Sequence, residues 1–101
     1  MNHDTKVAII SGGGGHIGRY TALKFASQGY AIAVCDINAD TAQRVVDEIL
    51  ATNGDAVAVQ VDVQNSVSVN NAVAATVERY GTVDVLVTAA GGSARSRIKP
   101  L

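Results

Sequence analysis

The run Ser11-Gly12-Gly13-Gly14-Gly15-His16-Ile17-Gly18 is the stretch of this chain whose residue types point most directly to chemistry. Glycine adopts a left-handed backbone at no steric cost, so a run of glycines permits a turn too tight for other residues. Without Cβ atoms the main chain can also approach an anion closely, and its N–H groups and the positive end of a following helix can hold a phosphate or pyrophosphate. Two spacings fit. Gly13, Gly15 and Gly18 make Gly-x-Gly-x-x-Gly, whereas Gly12, Gly15 and Gly18 make Gly-x-x-Gly-x-x-Gly, and the consecutive glycines leave both open. On either spacing Gly18 lets the helix lie close against the preceding strand. Gly13 to Gly18 also satisfy the core of a nucleoside triphosphate loop, but Arg19 and Tyr20 follow it. That loop needs Lys for the β/γ-phosphates and Ser or Thr for magnesium, so ATPase or GTPase activity is not expected.

The flanking residues supply elements that would position such a loop. Lys6 to Ile10 is a short apolar, β-branched run of strand character, and a helix-forming stretch covers about Ile17 to Gln28, stopped by Gly29. Strand, glycine turn and helix is the order that a dinucleotide site requires. Ala31 to Ile37 is continuously apolar except for the acid Asp36, the pattern of a parallel strand covered on both faces. Asn38 is the expected cap of a second helix, in which Ala42, Val45, Val46, Ile49 and Leu50 share a face and which Gly54 ends. Asp55 to Val63 alternates through Val57, Val59 and Val61 as a third strand. A third helix starts at Asn65 or Ser66, with Val69, Ala72, Val73, Val77 and Tyr80 on one face, and Gly81 ends it before a fourth strand over Val83 to Thr88. The order β-α-β-α-β-α-β predicts an α/β fold: a parallel sheet with strand order 3-2-1-4, the first half of a Rossmann-type doubly wound fold. Ligands are then expected at the carboxyl ends of strands 1 and 4. Residues 1–92 are expected to form this dinucleotide-binding domain and residues 93–101 a loop or tail.

Composition excludes other classes. A chain of 101 residues makes one small domain, of a size that buries ~60–70% of its unfolded surface. A formal net charge of −1 offers no basic field to nucleic acid and no polybasic patch to a membrane. Cys35 is the single cysteine, so no intrachain disulfide or four-cysteine zinc site can form, and no metal is expected. Its flanks Ala33-Val34 suggest a buried, unreactive strand thiol. Met1 to Lys6 is polar and lacks the apolar core of a signal peptide. No apolar run approaches the ~20 residues of a membrane span, so cytoplasmic residence is the default expectation.

From Lys6 to about Gly92 the chain resembles the short-chain dehydrogenase/reductase family. Four elements carry the likeness in order: the Ser-Gly-x-x-Gly-x-x-Gly loop from Ser11 to Gly18, Asp36 closing the second strand, Asp62-Val63 closing the third, and Asp84 to Gly91 at the fourth. The resemblance implies that Ser11, Gly12, Gly15, His16, Ile17 and Gly18 hold the cofactor pyrophosphate. It places Asp36 and Ile37 at the adenosine ribose, Asp62 and Val63 at the adenine, and Ala89, Ala90 and Gly91 where backbone passes close to the cofactor ribose. Asp36 lies just under the ~20 residues past the loop at which an acid accepts hydrogen bonds from the ribose hydroxyls. A 2′-phosphate would meet like charge there, and no Arg or Lys directly follows, which favours NAD over NADP. The same residues also admit purely structural roles: Asp36 as a solvated carboxylate at a strand end, and Asp62 as the start of the turn into Asn65. His16 departs from the glycine usual in the compact branch of the family, and either bonds a phosphate oxygen or is tolerated at the rim. Thr88 and Ala89 stand where the family carries two asparagines, and Ser11 replaces its usual threonine.

The family's proton transfer uses Ser, Tyr and Lys, with a Tyr-x-x-x-Lys helix located beyond the fourth strand, and that region is not among these residues. Tyr20 to Lys24 spells Tyr-x-x-x-Lys but lies on the first helix, and is assigned no catalytic role. The resemblance implies the NAD-binding portion of an oxidoreductase that moves hydride between NAD(H) and an alcohol or carbonyl substrate, and this chain alone is expected to be inactive. Two other readings stand beside it. One is a nucleotide-binding or interaction module without catalysis; the other is the N-terminal part of a nucleotide-sugar epimerase, which the glycine spacing favours and Asp84 to Gly91 disfavours. The crossovers put helices 1 and 2 on one face and leave helix 3 to cover the other nearly alone. With the valine-rich fourth strand at the edge, self-association or pairing with another chain is expected.

Overall fold

Val7 to Ser11 are buried at every position, and in the computed structural model this run is one of the two inner strands of the sheet. The structure describes residues 5–12, 15–62 and 64–88. Val63, Ala89, Ala90, Gly91 and the tail over 93–101 lie outside the described residues, as do the expectations placed on them. Along the chain run β1 (Val7–Ser11), α1 (His16–Ser27), β2 (Ala31–Asp36), α2 (Ala39–Ala51), β3 (Asp55–Gln60), α3 (Ser66–Tyr80) and β4 (Val85–Thr88). Every ladder is parallel and the spatial order is β3-β2-β1-β4, the Rossmann-type order that the alternation predicts.

Alternation along each strand divides the core in two. Ala8, Ile10, Ile32, Val34 and Ala56 face α1 and α2, where they meet Ala22, Val45, Val46 and Ile49. Ile9, Ala33, Cys35 and Val61 face α3 and meet Ala72, with Val69 and Val73 packed alongside. Ile10, Ile32 and Ile49 are fully buried, each worth about 1.5–3 kcal/mol relative to exposure. Among the described residues no helix is long and apolar enough to cross a membrane.

Several local expectations are corrected. The third strand stops at Gln60 rather than Val63 because its register partner Asp36 ends β2. The fourth begins at Val85, because Asp84 is used otherwise: its N–H donates to the Val7 carbonyl at 2.8 Å, and its Oδ2 accepts from the Val7 N–H at 2.8 Å. On α2, Leu50 is 49% exposed and turned from the face that buries Ile49. On α3, Val77 is 42% exposed and Thr76 fully buried, since Ala72 and Thr76 lie one turn apart over the sheet. Thr76 hides its polarity by donating to the Ala72 carbonyl at 2.8 Å. The left-handed residue after α2 is Asn53 at φ 65°, not Gly54. Gly54 is required by proximity instead: a Cβ there would stand 2.6 Å from Ile49 Cγ2 and 3.0 Å from the Ile49 carbonyl oxygen.

Burial, with a smaller contribution from the neighbouring Asp36 charge, pushes the Cys35 thiol up to about 12. A thiol in the unfolded chain ionises near ~8.5, so above that pH the unfolded state releases a proton that the fold retains. The stabilisation is complete below ~8.5 and is lost as pH rises toward the folded value. Urea midpoints should therefore fall between pH 9 and 11, and Cys35→Ala should flatten that part of the profile about its own lower baseline. Gly54→Ala should cost about 1–3 kcal/mol through overpacking against Ile49, read as a lower urea midpoint at an unchanged slope.

Candidate functional site

Because every ladder is parallel, the carboxyl ends of all four strands meet at one edge of the sheet. Ser11 ends β1, opposite Cys35 on one side and Thr88 on the other. Asp36 ends β2 opposite Gln60, and Asp62 follows β3 by two residues. The residues singled out in the sequence thus fall along this edge in two groups: the glycine loop with Ser11 and Thr88 at the centre, and Asp36, Ile37 and Asp62 toward the β2–β3 side.

At the centre, Gly12 takes φ 73°, a left-handed backbone that turns the chain out of β1. The Gly15 N–H donates to the Gly12 carbonyl at 3.2 Å, and α1 starts at His16. The three helix starts differ in kind. Asn38 accepts from the Asp40 and Thr41 amides at 3.0 and 3.3 Å, and Asn65 from Val67 and Ser68 at 2.9 and 3.2 Å. Gly15 gives α1 no side-chain cap, and the first turn of α1 carries no acid. The Ser11 side chain is buried on the other face of the sheet, in the cavity beneath α3 that Ile9, Cys35, Val69, Ala72 and Thr88 line, and its Oγ has no hydrogen-bond partner among the described residues. The backbone donors at the α1 start therefore lack a side-chain acceptor, and an anion would balance them.

Gly15 adds a second indication. Its φ of −78° suits any residue, and among the described residues a Cβ would meet only the Gly12 carbonyl oxygen, at an ordinary 3.6 Å. Nothing among the described residues requires glycine at this exposed position, whereas an anion resting on the backbone does. Gly18 behaves differently: it is buried with Ala22, one helical turn on, where small side chains let α1 sit down on the sheet. His16 and Ile17 are exposed at the mouth of the loop.

Asp36 is half-buried, and its Oδ1 accepts from the Asn38 N–H at 3.0 Å. Ile37 is 65% exposed, and its carbonyl accepts from Gln60 Nε2 at 3.1 Å. The depression beside them is lined by Ile37, Asn38, Ala39, Asp40 and Gln60, none of them basic. Arg19, the cation next to the loop in sequence, is held by Glu48 at 2.8 and 3.0 Å. Asp62 builds the turn into α3: its Oδ1 accepts from the Gln64 N–H at 3.0 Å, its carbonyl from Asn65 at 2.9 Å, and its own N–H donates to Ser68 Oγ at 2.9 Å. Tyr20 and Lys24 lie on α1, with Tyr20 69% exposed, apart from the strand ends.

Sequence reasoning misses Gln60 and Ser68, which hold the backbone beside Asp36 and Asp62. Period-2 alternation places Gln60 on the face that Asp36 occupies, but only the β2–β3 register shows that the two are partners.

The profile of the family described as short chain dehydrogenase matches residues 6–101. The 7alpha-hydroxysteroid dehydrogenase of Escherichia coli is 42% identical over 89 residues, covering 88% of this chain and 35% of that enzyme. A solved 7alpha-hydroxysteroid dehydrogenase complexed with NADH and 7-oxo glycochenodeoxycholic acid has a TM-score of 0.85 at 42% identity, over 88% of this chain and 35% of that one. A variant of the actinorhodin polyketide ketoreductase, solved with NADPH, has a TM-score of 0.85 at 32% identity, over 90% of this chain and 35% of that one. The chain spans about a third of the length of the curated relatives it matches, the segment holding β1 to β4. On the profile match, the shared fold and this identity, the chain belongs to the short-chain dehydrogenase/reductase family.

Proposed function

We propose that this chain is the NAD-binding portion of a short-chain oxidoreductase whose complete form transfers hydride between NAD(H) and an alcohol or carbonyl substrate. The observation that carries the reading is the donor excess at the glycine loop: the α1 start has no side-chain cap and no acid in its first turn, and the backbone at Gly15 is bare. A nicotinamide dinucleotide supplies, when bound, the hydride donor or acceptor. The chain's own part is to bind and orient it. Ser11, Gly12 and Gly15 to Gly18 receive the pyrophosphate, Asp36 with Ile37 takes the adenosine ribose, and Asp62 lies toward the adenine.

The preference for NAD rests on charge. Relatives occur with NADH and with NADPH, so the choice falls to the residues around Asp36. A 2′-phosphate would lie against the Asp36 carboxylate, beside a depression lined by Asp40 and, among the described residues, by no basic one, while Arg19 is held by Glu48. Pairing with a second chain belongs to the same reading. Among the described residues β4 is hydrogen-bonded to β1 alone, and Val85 and Leu86 are only half-buried. Its free edge is a template for another strand.

Calorimetric titration with NADH and NADPH tests the cofactor reading. NADH should bind at least about tenfold more tightly, a difference of ~1.4 kcal/mol; equal or tighter NADPH would overturn the Asp36 assignment. Asp36→Ala should weaken NADH and erase the preference. Gly15→Ala should cost the fold no more than about 1 kcal/mol, the scale of a helix-cap change, yet abolish detectable binding of both dinucleotides. Light scattering across protein concentrations should reveal association, and a monodisperse monomer throughout would count against pairing at β4.

A further inference from the structure

Asp36 and Gln60 are opposite partners at the last rung of the β2–β3 ladder. Both stand at even positions, on the face turned toward α1 and α2, so their side chains are lateral neighbours one strand spacing apart, about 4.8 Å. Beyond this rung the peptide units of the turn are each held by a different contact. The Asp36 carbonyl accepts from the Val61 N–H at 2.9 Å, and the Ile37 carbonyl accepts from Gln60 Nε2 at 3.1 Å. The Asn38 N–H then donates to Asp36 Oδ1 at 3.0 Å, and Asn38 Oδ1 caps α2 through Asp40 and Thr41.

In this series the Gln60 bond ties β3 by a side chain to the peptide between Asp36 and Asn38. Ile37 is 65% exposed, so packing does little to hold that peptide. If the Ile37 carbonyl is released, the peptide can rotate about its flanking φ and ψ, and the Asn38 N–H that fixes Asp36 Oδ1 moves with it. A carboxylate that must accept from two adjacent ribose hydroxyls is sensitive to such rotation, because hydrogen bonds weaken steeply with angle.

We propose that Gln60 is a positioning residue that locks the Asp36–Asn38 turn from the neighbouring strand and thereby sharpens selection for the ribose without a 2′-phosphate. This rests on the cofactor reading given above. Gln60 bonds a main-chain carbonyl, and its effect on the ligand passes through Asp36. Removing it therefore affects NADH, which uses the aligned carboxylate, more than NADPH, which that carboxylate repels.

The test is Gln60→Leu, which keeps the bulk and removes the donor, with Gln60→Met as the second variant should Leu lower the urea midpoint. In the cofactor-free protein, hydrogen exchange at the Asn38 amide should accelerate by about threefold to tenfold, the scale of losing one neutral hydrogen bond. By calorimetry NADH should weaken by a similar factor while NADPH is unchanged, so that the ratio of affinities narrows. Unchanged Asn38 exchange, or equal weakening of both dinucleotides, would overturn the proposal. If the unsubstituted chain binds neither dinucleotide, the cofactor reading and the selectivity assigned to Gln60 both fall, while Asn38 exchange still decides whether Gln60 holds the turn.

Discussion

The parallel pairing of β1 with a neighbour on each side is the constraint on which the rest of this structure depends. A strand bonded on both edges and covered on both faces has no tolerance for polar side chains, which is why Val7 to Ile10 are uniformly apolar and buried. Parallel pairing also requires that the chain return over a face of the sheet between strands, so a helix follows each of β1, β2 and β3. Its consequence for function is geometric. Four carboxyl ends are delivered to one edge, and loops that are remote in sequence become neighbours there.

At that edge the hydrogen-bond inventory is uneven in an informative way. The starts of α2 and α3 are closed by asparagine caps, and the turns leading into them are knit by Asp36, Asp62 and Ser68. The start of α1 has no such closure, and on the α3 face of the same edge Ser11 buries a hydroxyl without a partner among the described residues. Native folds rarely leave buried polar groups unpaired, and where they do a ligand is a sufficient reason. The charge distribution follows the same division. The ion pair of Arg19 with Glu48 joins α1 to α2 and occupies the cation next to the loop in sequence, and among the described residues the depression by Asp36 is lined by an acid and no base.

The fold was legible in the sequence because period and punctuation agree at nearly every position. Alternating valines in β3, continuous apolar runs in β1 and β2, and helices ended at Gly29 and Gly81 can be read without knowing any contact. The misreadings have a common origin. Helical spacing puts Leu50 and Val77 on the apolar faces, whereas the sheet sees a narrower arc of each helix, and on α3 it admits the small Thr76 instead. Gly54 reads as a helix stop, yet the left-handed backbone belongs to Asn53, and the glycine is needed because the chain doubles back onto Ile49. Asp84 reads as a strand residue and instead clamps the first residue of β1.

The sequence by itself determined the order of elements, the class of fold, the glycine loop and the acid at the end of the second strand, because each depends on local residue type and spacing. Tertiary structure alone decided which groups meet. That Ser11 buries its hydroxyl on the α3 face with no partner among the described residues, that Arg19 is bound to Glu48, and that Gln60 stands opposite Asp36 and reaches the next peptide all follow from strand register and helix placement. The physical reason is that register relates residues far apart in the chain. A local period can say which face a side chain takes, but its neighbour across the ladder is set by the packing of the whole sheet.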